Sequence, residues 1–156
     1  MVIKTEILIR PIKKGERPPF ELLELADPSS LMINTYLPKS RIFLAELEKE
    51  IIGVYVLLPI TDQKVEIKNI AVKPKFQGKG LGKLMLGHAE VTARSMDYKT
   101  IKIATANSSI APLHLYLSQG FLLQEIIPDF FIENYEKPIF ENGVQCRDLM
   151  VLEKKI

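Results

Sequence analysis

From Lys73 to Lys83 the chain reads Lys-Pro-Lys-Phe-Gln-Gly-Lys-Gly-Leu-Gly-Lys: three glycines alternate over five residues, with four lysines and no acid in the stretch. Glycines at that density admit left-handed backbone and let a ligand come close to the main chain. The run Val65-Glu66-Ile67-Lys68-Asn69-Ile70-Ala71-Val72 before it has the composition of a strand. After it, Leu81, Leu84, Met85, His88, Val91 and Thr92 recur at helical spacing. A glycine-rich link from strand to helix aims backbone N–H groups outward at the positive end of the helix dipole. That is a cradle for an anion, and the lysines extend its field. A phosphate or pyrophosphate is the expected ligand.

Three phosphate-binding patterns separate on the residues. A P-loop needs Gly-x4-Gly-Lys followed by Ser or Thr, but Gly82-Lys83 is followed by Leu84, which offers nothing to a magnesium ion. A dinucleotide fingerprint needs a third glycine three residues after the second; that position is Lys83, and no ordered βαβ repeat follows. The pattern Gln/Arg-x-x-Gly-x-Gly/Ala is filled by Gln77, Gly80 and Gly82. In this the chain resembles the acyl-CoA pyrophosphate loop of the GCN5-related N-acetyltransferases, the GNAT superfamily. Residues 65–72 are similar to the family's central strand, residues 100–107 to its next strand, and Leu115-Tyr116-Leu117-Ser118-Gln119-Gly120-Phe121 to its Leu-Tyr-x-x-x-Gly-Phe segment. The resemblance covers residues 41–127 and reaches the two ends loosely. There is one departure: nine positions separate Asn107 from Tyr116, a longer connection than the family's commonest.

The resemblance implies a GNAT fold of class α/β (α+β), a mixed, mostly antiparallel central sheet with helices on both faces. It implies acetyl-CoA as co-substrate and transfer of an acetyl group to a primary amine by direct attack in a ternary complex. It assigns Gln77, Gly78, Lys79, Gly80, Leu81, Gly82 and Lys83 to the pyrophosphate, and the backbone of Ile70, Ala71 and Val72 to the pantetheine arm. Asn107, with Ser109, would meet the same arm from the facing strand; an N-cap for the next helix is an equally good local reading. Tyr116 becomes the acid beside the thioester sulfur, and Glu66 falls where the histone-acetylating branch carries its general base.

The chemistry is sound for both. A phenol with a pKa of about 10 can protonate a thiolate whose thiol sits at about 8–9. A carboxylate near about 4.3 is a weak base toward an ammonium near about 10.4, so Glu66 needs partial burial or an intervening water. On the residues alone, Tyr116 also reads as a core tyrosine beside Leu113, Leu115 and Leu117, and Glu66 as a strand glutamate on a wet face. A non-catalytic acyl-CoA-binding or sensing module is the alternative, because the loop would survive loss of the catalytic pair. No carboxylate–histidine spacing calls for a metal. His88 lies on the apolar stripe of its helix and reads as a boundary histidine, and His114 reads as a surface residue.

The remaining chain has the matching order β-α-α-β-β-β-α-β-α-β-β. A first strand is expected over residues 3–13, then a helix opened by Pro18-Pro19, a break at Asp27-Pro28-Ser29-Ser30, and a short helix over residues 30–36. Residues 41–47 and 51–60 form a hairpin around Glu48-Lys49-Glu50. A strand over residues 64–72, a helix over 80–96, a strand over 100–106, a helix over 110–119, a strand over 121–127 and a final strand from Leu149 complete it. A length of 156 residues suits one domain spanning residues 1–156. The lone Cys146 excludes a disulfide framework and fits a reducing cytoplasm. The chain has no apolar run of about 18 residues, so no membrane span is expected, and its N-terminus lacks a signal-peptide pattern. A net charge of +2 speaks against a dedicated nucleic-acid partner, and homodimerisation is left open.

Residues 128–146 are too long for an idle loop. They carry Phe130, Phe131, Tyr135 and Phe140, and a net charge of −3 from Asp129, Glu133, Glu136 and Glu141 against Lys137. An acidic, aromatic segment opposite a cationic loop is suited to a cationic acceptor, either a small amine such as a polyamine or aminoglycoside, or a protein N-terminus or lysine. Glu133 and Glu136 are the acids expected at that mouth. The competing expectation builds the acceptor pocket from residues 18–40 and leaves these acids in bulk water.

Overall fold

The computed structural model describes residues 6–156. Its elements run β1 Leu8–Pro11, α1 Phe20–Ala26, α2 Ser30–Tyr36, β2 Arg41–Leu47, β3 Glu50–Pro59, β4 Lys64–Val72, α3 Leu81–Ser95 and β5 Thr100–Ala106. There follow α4 Ile110–Ser118, β6 Leu122–Ile127, α5 Phe130–Asn134, β7 Phe140–Glu141, β8 Val144–Gln145 and β9 Leu149–Lys155. The main sheet has seven strands in the order β1-β2-β3-β4-β5-β9-β6. Only β4 and β5 are parallel neighbours; the other pairs are antiparallel. This is the mixed, mostly antiparallel sheet expected, and the elements follow the expected order except that α5, β7 and β8 are inserted between β6 and β9. The first strand is shorter than anticipated, and residues 3–5 of that expectation lie outside the described residues.

Strand alternation divides the core in two. Phe43, Ala45, Val65 and Ile67 point to one face, where Leu81, Met85, Leu86, Ala89 and Ala93 of α3 cover them. Ile42, Leu44, Val54 and Val56 point to the other, beneath Leu22, Leu23, Ile33 and Tyr36 of α1 and α2. Helix α3 lies close on the sheet because Gly53 has no side chain: a Cβ there would meet Met85 Sδ at 2.9 Å.

One irregularity positions everything that follows. The parallel register of β4 with β5 runs from Lys64↔Thr100 to Ile67↔Ile103 and stops, although β4 continues to Val72 and β5 to Ala106. On its other side β4 stays paired with β3 to Val72, through a bulge that puts Lys68 between the pairs Leu57↔Ile67 and Val56↔Asn69. A bulge bends its strand and increases the local twist. The last five residues of β4 follow β3 and diverge from β5, so the sheet opens in a V at its centre.

The hairpin β7–β8, absent from the sequence expectation, turns through Asn142 (φ 53°) and Gly143 (φ 74°). Asn-Gly is the usual pair for a turn needing positive φ at both central residues.

Candidate active site

A cavity of about 650 Å³ fills the V. Its walls come from the free half of β4, the turn into α3, the end of β5, one side of α4, the α1–α2 junction, and residues 130–141. Of the residues singled out in the sequence, Glu66, Ile70, Ala71, Val72, Gln77, Gly78, Gly80, Leu81, Gly82, Lys83, Ser109 and Tyr116 all line it. Lys79 and Asn107 do not.

At one end stands the glycine turn. Gly78 (φ 75°) and Gly80 (φ 84°) are both left-handed, and Gly80 is the N-cap of α3. The first helical bond runs from Leu84 N to Gly80 O, so the N–H groups of Leu81, Gly82 and Lys83 precede any helical acceptor. Gln77 Nε2 donates to Val72 O at 2.9 Å, tying the turn to the end of β4. The four lysines are not equivalent. Lys73 is held by Glu50 at 2.5 Å, and that contact keeps the Glu50 carboxyl below its ordinary range. Lys79 and Lys83 form no ion pair among the described residues, and the Lys79 ammonium lies 5.9 Å from the centre of the Phe76 ring. Phosphate binding by backbone donors plus Lys83 is what this end can do chemically.

Tyr116 and Glu66 are also on the cavity wall. Tyr116 is 7% exposed and packs its ring against Phe121 at 6.3 Å. Burial, with Glu141 adding repulsion, pushes its phenol up to about 12, so it remains a proton donor throughout the neutral range. Its hydroxyl has no protein hydrogen-bond partner among the described residues. Glu66 is 6% exposed and faces Lys102 Nζ at 4.0 Å. It shares the α1–α2 face of β4 with Asn69.

Asn107 is placed differently from the expected contact with a pantetheine arm. Its Oδ1 accepts from Arg147 N at 2.8 Å and Asp148 N at 3.1 Å, and its Nδ2 donates to Gln145 O at 3.4 Å. Nor does it cap α4: the N-cap residue is Ser109, whose hydroxyl donates to Glu141 Oε2 at 2.8 Å instead. Asn107 fixes the approach to β9. Asn107→Ala is expected to cost about 0.5–1.5 kcal/mol, because it removes the acceptor of two backbone donors that water can still reach. It should leave coenzyme affinity within about twofold, a shift of only a few tenths of a kcal/mol. A chemical melt alongside calorimetry checks both.

The far end of the cavity draws on both competing segments: Leu25, Asp27 and Met32 from one, and Phe130, Phe131 and Tyr135 from the other. Glu133 and Glu136, the acids expected from charge counting, do not line it. The acids that do are Asp27, Glu66 and Glu141. In the sequence Asp27 reads only as part of a helix break, and no local signal marks it for the cavity. His88 is a boundary residue as expected, with Nδ1 2.7 Å from the Tyr55 hydroxyl and its pKa lowered by burial. His114 is exposed.

Comparison with known proteins agrees with this geometry. Residues 9–121 match the acetyltransferase (GNAT) family. The uncharacterized N-acetyltransferase YvbK of Bacillus subtilis (strain 168) is 47% identical over 133 residues, covering 85% of this chain and 86% of its own. A GNAT family acetyltransferase from Elizabethkingia anophelis, solved with acetyl-CoA bound, superposes with a TM-score of 0.96 at 42% identity, covering 98% of this chain and all of that one (100%). A Bacillus subtilis acetyltransferase solved with CoA gives 0.90 at 42% identity, covering 96% and 99%.

Proposed function

The chain belongs to the GNAT acetyltransferase family, and from that premise we propose that residues 1–156 act as one acetyl-CoA-dependent N-acetyltransferase domain whose acceptor is a primary amine. The observation that carries this reading is the convergence on one cavity of three parts: an unpaired strand edge, a glycine cradle at a helix N-terminus, and a buried phenol with no hydrogen-bond partner among the described residues.

The residues fit acetyl-CoA. Its pyrophosphate suits the donors of Leu81, Gly82 and Lys83. A Cβ on Gly78 would meet nothing within 4 Å, so there is room in front of the loop. The amide arm suits the free backbone edge at Ile70, Ala71 and Val72, which offers donors and acceptors at strand spacing. Acetyl-CoA supplies the acetyl group as a thioester.

The chain's own contributions are positional and protic. Backbone groups of β4 hold the thioester in line with the acceptor. Glu66 takes a proton from the attacking amine, directly or through water. Tyr116 gives its proton to the sulfur as the C–S bond breaks, and the proton held by Glu66 returns through solvent to the Tyr116 oxygen, so the products are an acetamide and a free thiol, with no covalent enzyme intermediate. Lys102, 4.0 Å from Glu66, keeps a positive charge beside the carboxylate.

Glu66→Gln tests the base. The rate is expected to fall about 10²-fold near neutral pH, at the lower end for general acid–base catalysis. It should recover partly as pH rises, because more acceptor is then already neutral. A pH–rate profile that differs from the parent only in scale points to another base. The overall reading is tested by a panel of amines with thiol release as the readout. Release with at least one amine supports it, and tight acetyl-CoA binding without release from any amine supports a non-catalytic acyl-CoA module instead.

A further inference from the structure

The acceptor end of the cavity holds a carboxylate that the chemistry above does not use. Asp27 closes α1, and its three donors are all neutral. Oδ1 accepts from Ser29 N at 3.2 Å and from the Tyr135 hydroxyl at 3.0 Å, and Oδ2 accepts from the Tyr36 hydroxyl at 3.4 Å. Among the described residues no lysine or arginine lies within ion-pair distance of it, whereas Glu66 has Lys102. A carboxylate offers about four acceptor positions. Three are used, and the long bond leaves Oδ2 the least satisfied.

Its surroundings discriminate further. Asn69 lines the same cavity and is 3% exposed. Its Nδ2 donates to Leu23 O at 2.9 Å and to the Tyr36 hydroxyl at 3.0 Å, while its Oδ1 is buried without any donor. Tyr36 therefore lies between the Asp27 carboxylate and the Asn69 amide, in a wall that includes Leu25, Met32, Phe130 and Phe131 and also Lys68, whose ammonium lies 5.6 Å from the centre of the Tyr36 ring. Burial, helped by Asp27, raises the phenols of both Tyr36 and Tyr135, so both stay donors toward the carboxylate. On the Asp27 side, a carboxylate met only by neutral donors is complementary to a group with several N–H donors and a positive charge.

That group is not the reacting amine. An amine must lose its proton before it attacks, and a neighbouring carboxylate without a competing cation favours the protonated form. Asp27 suits a charge that persists through the reaction, while Glu66, with Lys102 beside it, serves the nitrogen that changes. Resting on the N-acetyltransferase reading, we infer that Asp27, clasped by Tyr36 and Tyr135, seats a second cationic group of the acceptor, so that the preferred substrates are amines carrying another positive charge across an apolar spacer.

The test compares 1,4-diaminobutane and 1,5-diaminopentane with 1-aminobutane at one pH, reading thiol release from acetyl-CoA. The parent protein is expected to favour a diamine by about 10- to 100-fold in kcat/KM, the size of one hydrogen bond to a charged group. Asp27→Asn should bring that ratio near unity by raising the diamine KM, with acetyl-CoA affinity retained as the check on folding. Tyr135→Phe keeps the charge and loosens its orientation, so it should lower the ratio by a smaller factor. Equal kcat/KM for diamines and the monoamine in the parent, or an undiminished ratio in Asp27→Asn, overturns the inference and leaves the acetyltransferase reading intact. No thiol release with any amine overturns both.

Discussion

Tyr116→Phe is expected to lower kcat by about 10²–10⁴-fold, the range of a general acid, and to change the acetyl-CoA KM much less. The substitution keeps the ring, its burial and its contact with Phe121 at 6.3 Å, and removes one oxygen. That oxygen has no protein partner among the described residues, so its loss breaks no structural hydrogen bond. What disappears is a donor needed only as the sulfur takes on charge, which is a transition-state interaction. Because the phenol is raised to about 12, first by burial and then by Glu141, the neutral donor form persists well past pH 10. The parent enzyme should therefore show no loss of acid function across the neutral range. Single-turnover thiol release separates chemistry from product departure. A chemical rate equal to the parent's would return Tyr116 to the role of a packing residue.

Gly80→Val is expected to weaken acetyl-CoA binding about 10- to 100-fold. Gly80 sits at φ 84° at the N-cap of α3, where a β-branched side chain is strained whatever the space around it. Strain of this kind costs about 1–3 kcal/mol, and each 1.4 kcal/mol is about a factor of ten in affinity. Relief of that strain would rotate the N–H groups of the turn away from the cavity. Lys79→Ala is the control: Lys79 is exposed, does not line the cavity and leaves the backbone unchanged, so the loss should be under about threefold, which is less than 1 kcal/mol. Calorimetry showing equal affinity for Gly80→Val and the parent would remove residues 77–83 from the coenzyme site.

The half of the site nearest the phosphate turn was legible in the sequence, and the acceptor half was not. The glycine turn declares itself over a few neighbouring residues, because left-handed backbone and a helix start are local demands. Glu66 and Tyr116, which both line the cavity, each lie in a short segment similar to the family's. The acceptor wall forms across distance: Asp27 meets Tyr135 over 108 positions, and Asn69 meets Leu23 over 46 and Tyr36 over 33. No window of sequence contains those pairs. Summing charge over residues 128–146 found an acidic segment but named Glu133 and Glu136, both exposed, when Asp27 and Glu141 are on the wall. Asn107 shows the opposite difficulty. It sits in a segment similar to the family's, yet its amide is committed to residues 145–148 by bonds that only the folded chain reveals. The β7–β8 hairpin could have been read from Asn142-Gly143.

The V between β4 and β5 also bears on how long the protein lasts. Lys68 to Val72 is strand backbone with one flank unpaired, in the middle of a sheet rather than at its rim. A coenzyme whose amide arm lies along that flank acts as a borrowed strand, completing the ladder that the chain leaves short. Any molecule that binds the folded chain alone adds to its stability, by about 2.7 kcal/mol at a hundredfold excess over Kd. If acetyl-CoA lies along β4 as proposed, resistance to unfolding and to proteases should rise with its concentration, which a thermal melt at increasing acetyl-CoA reads directly.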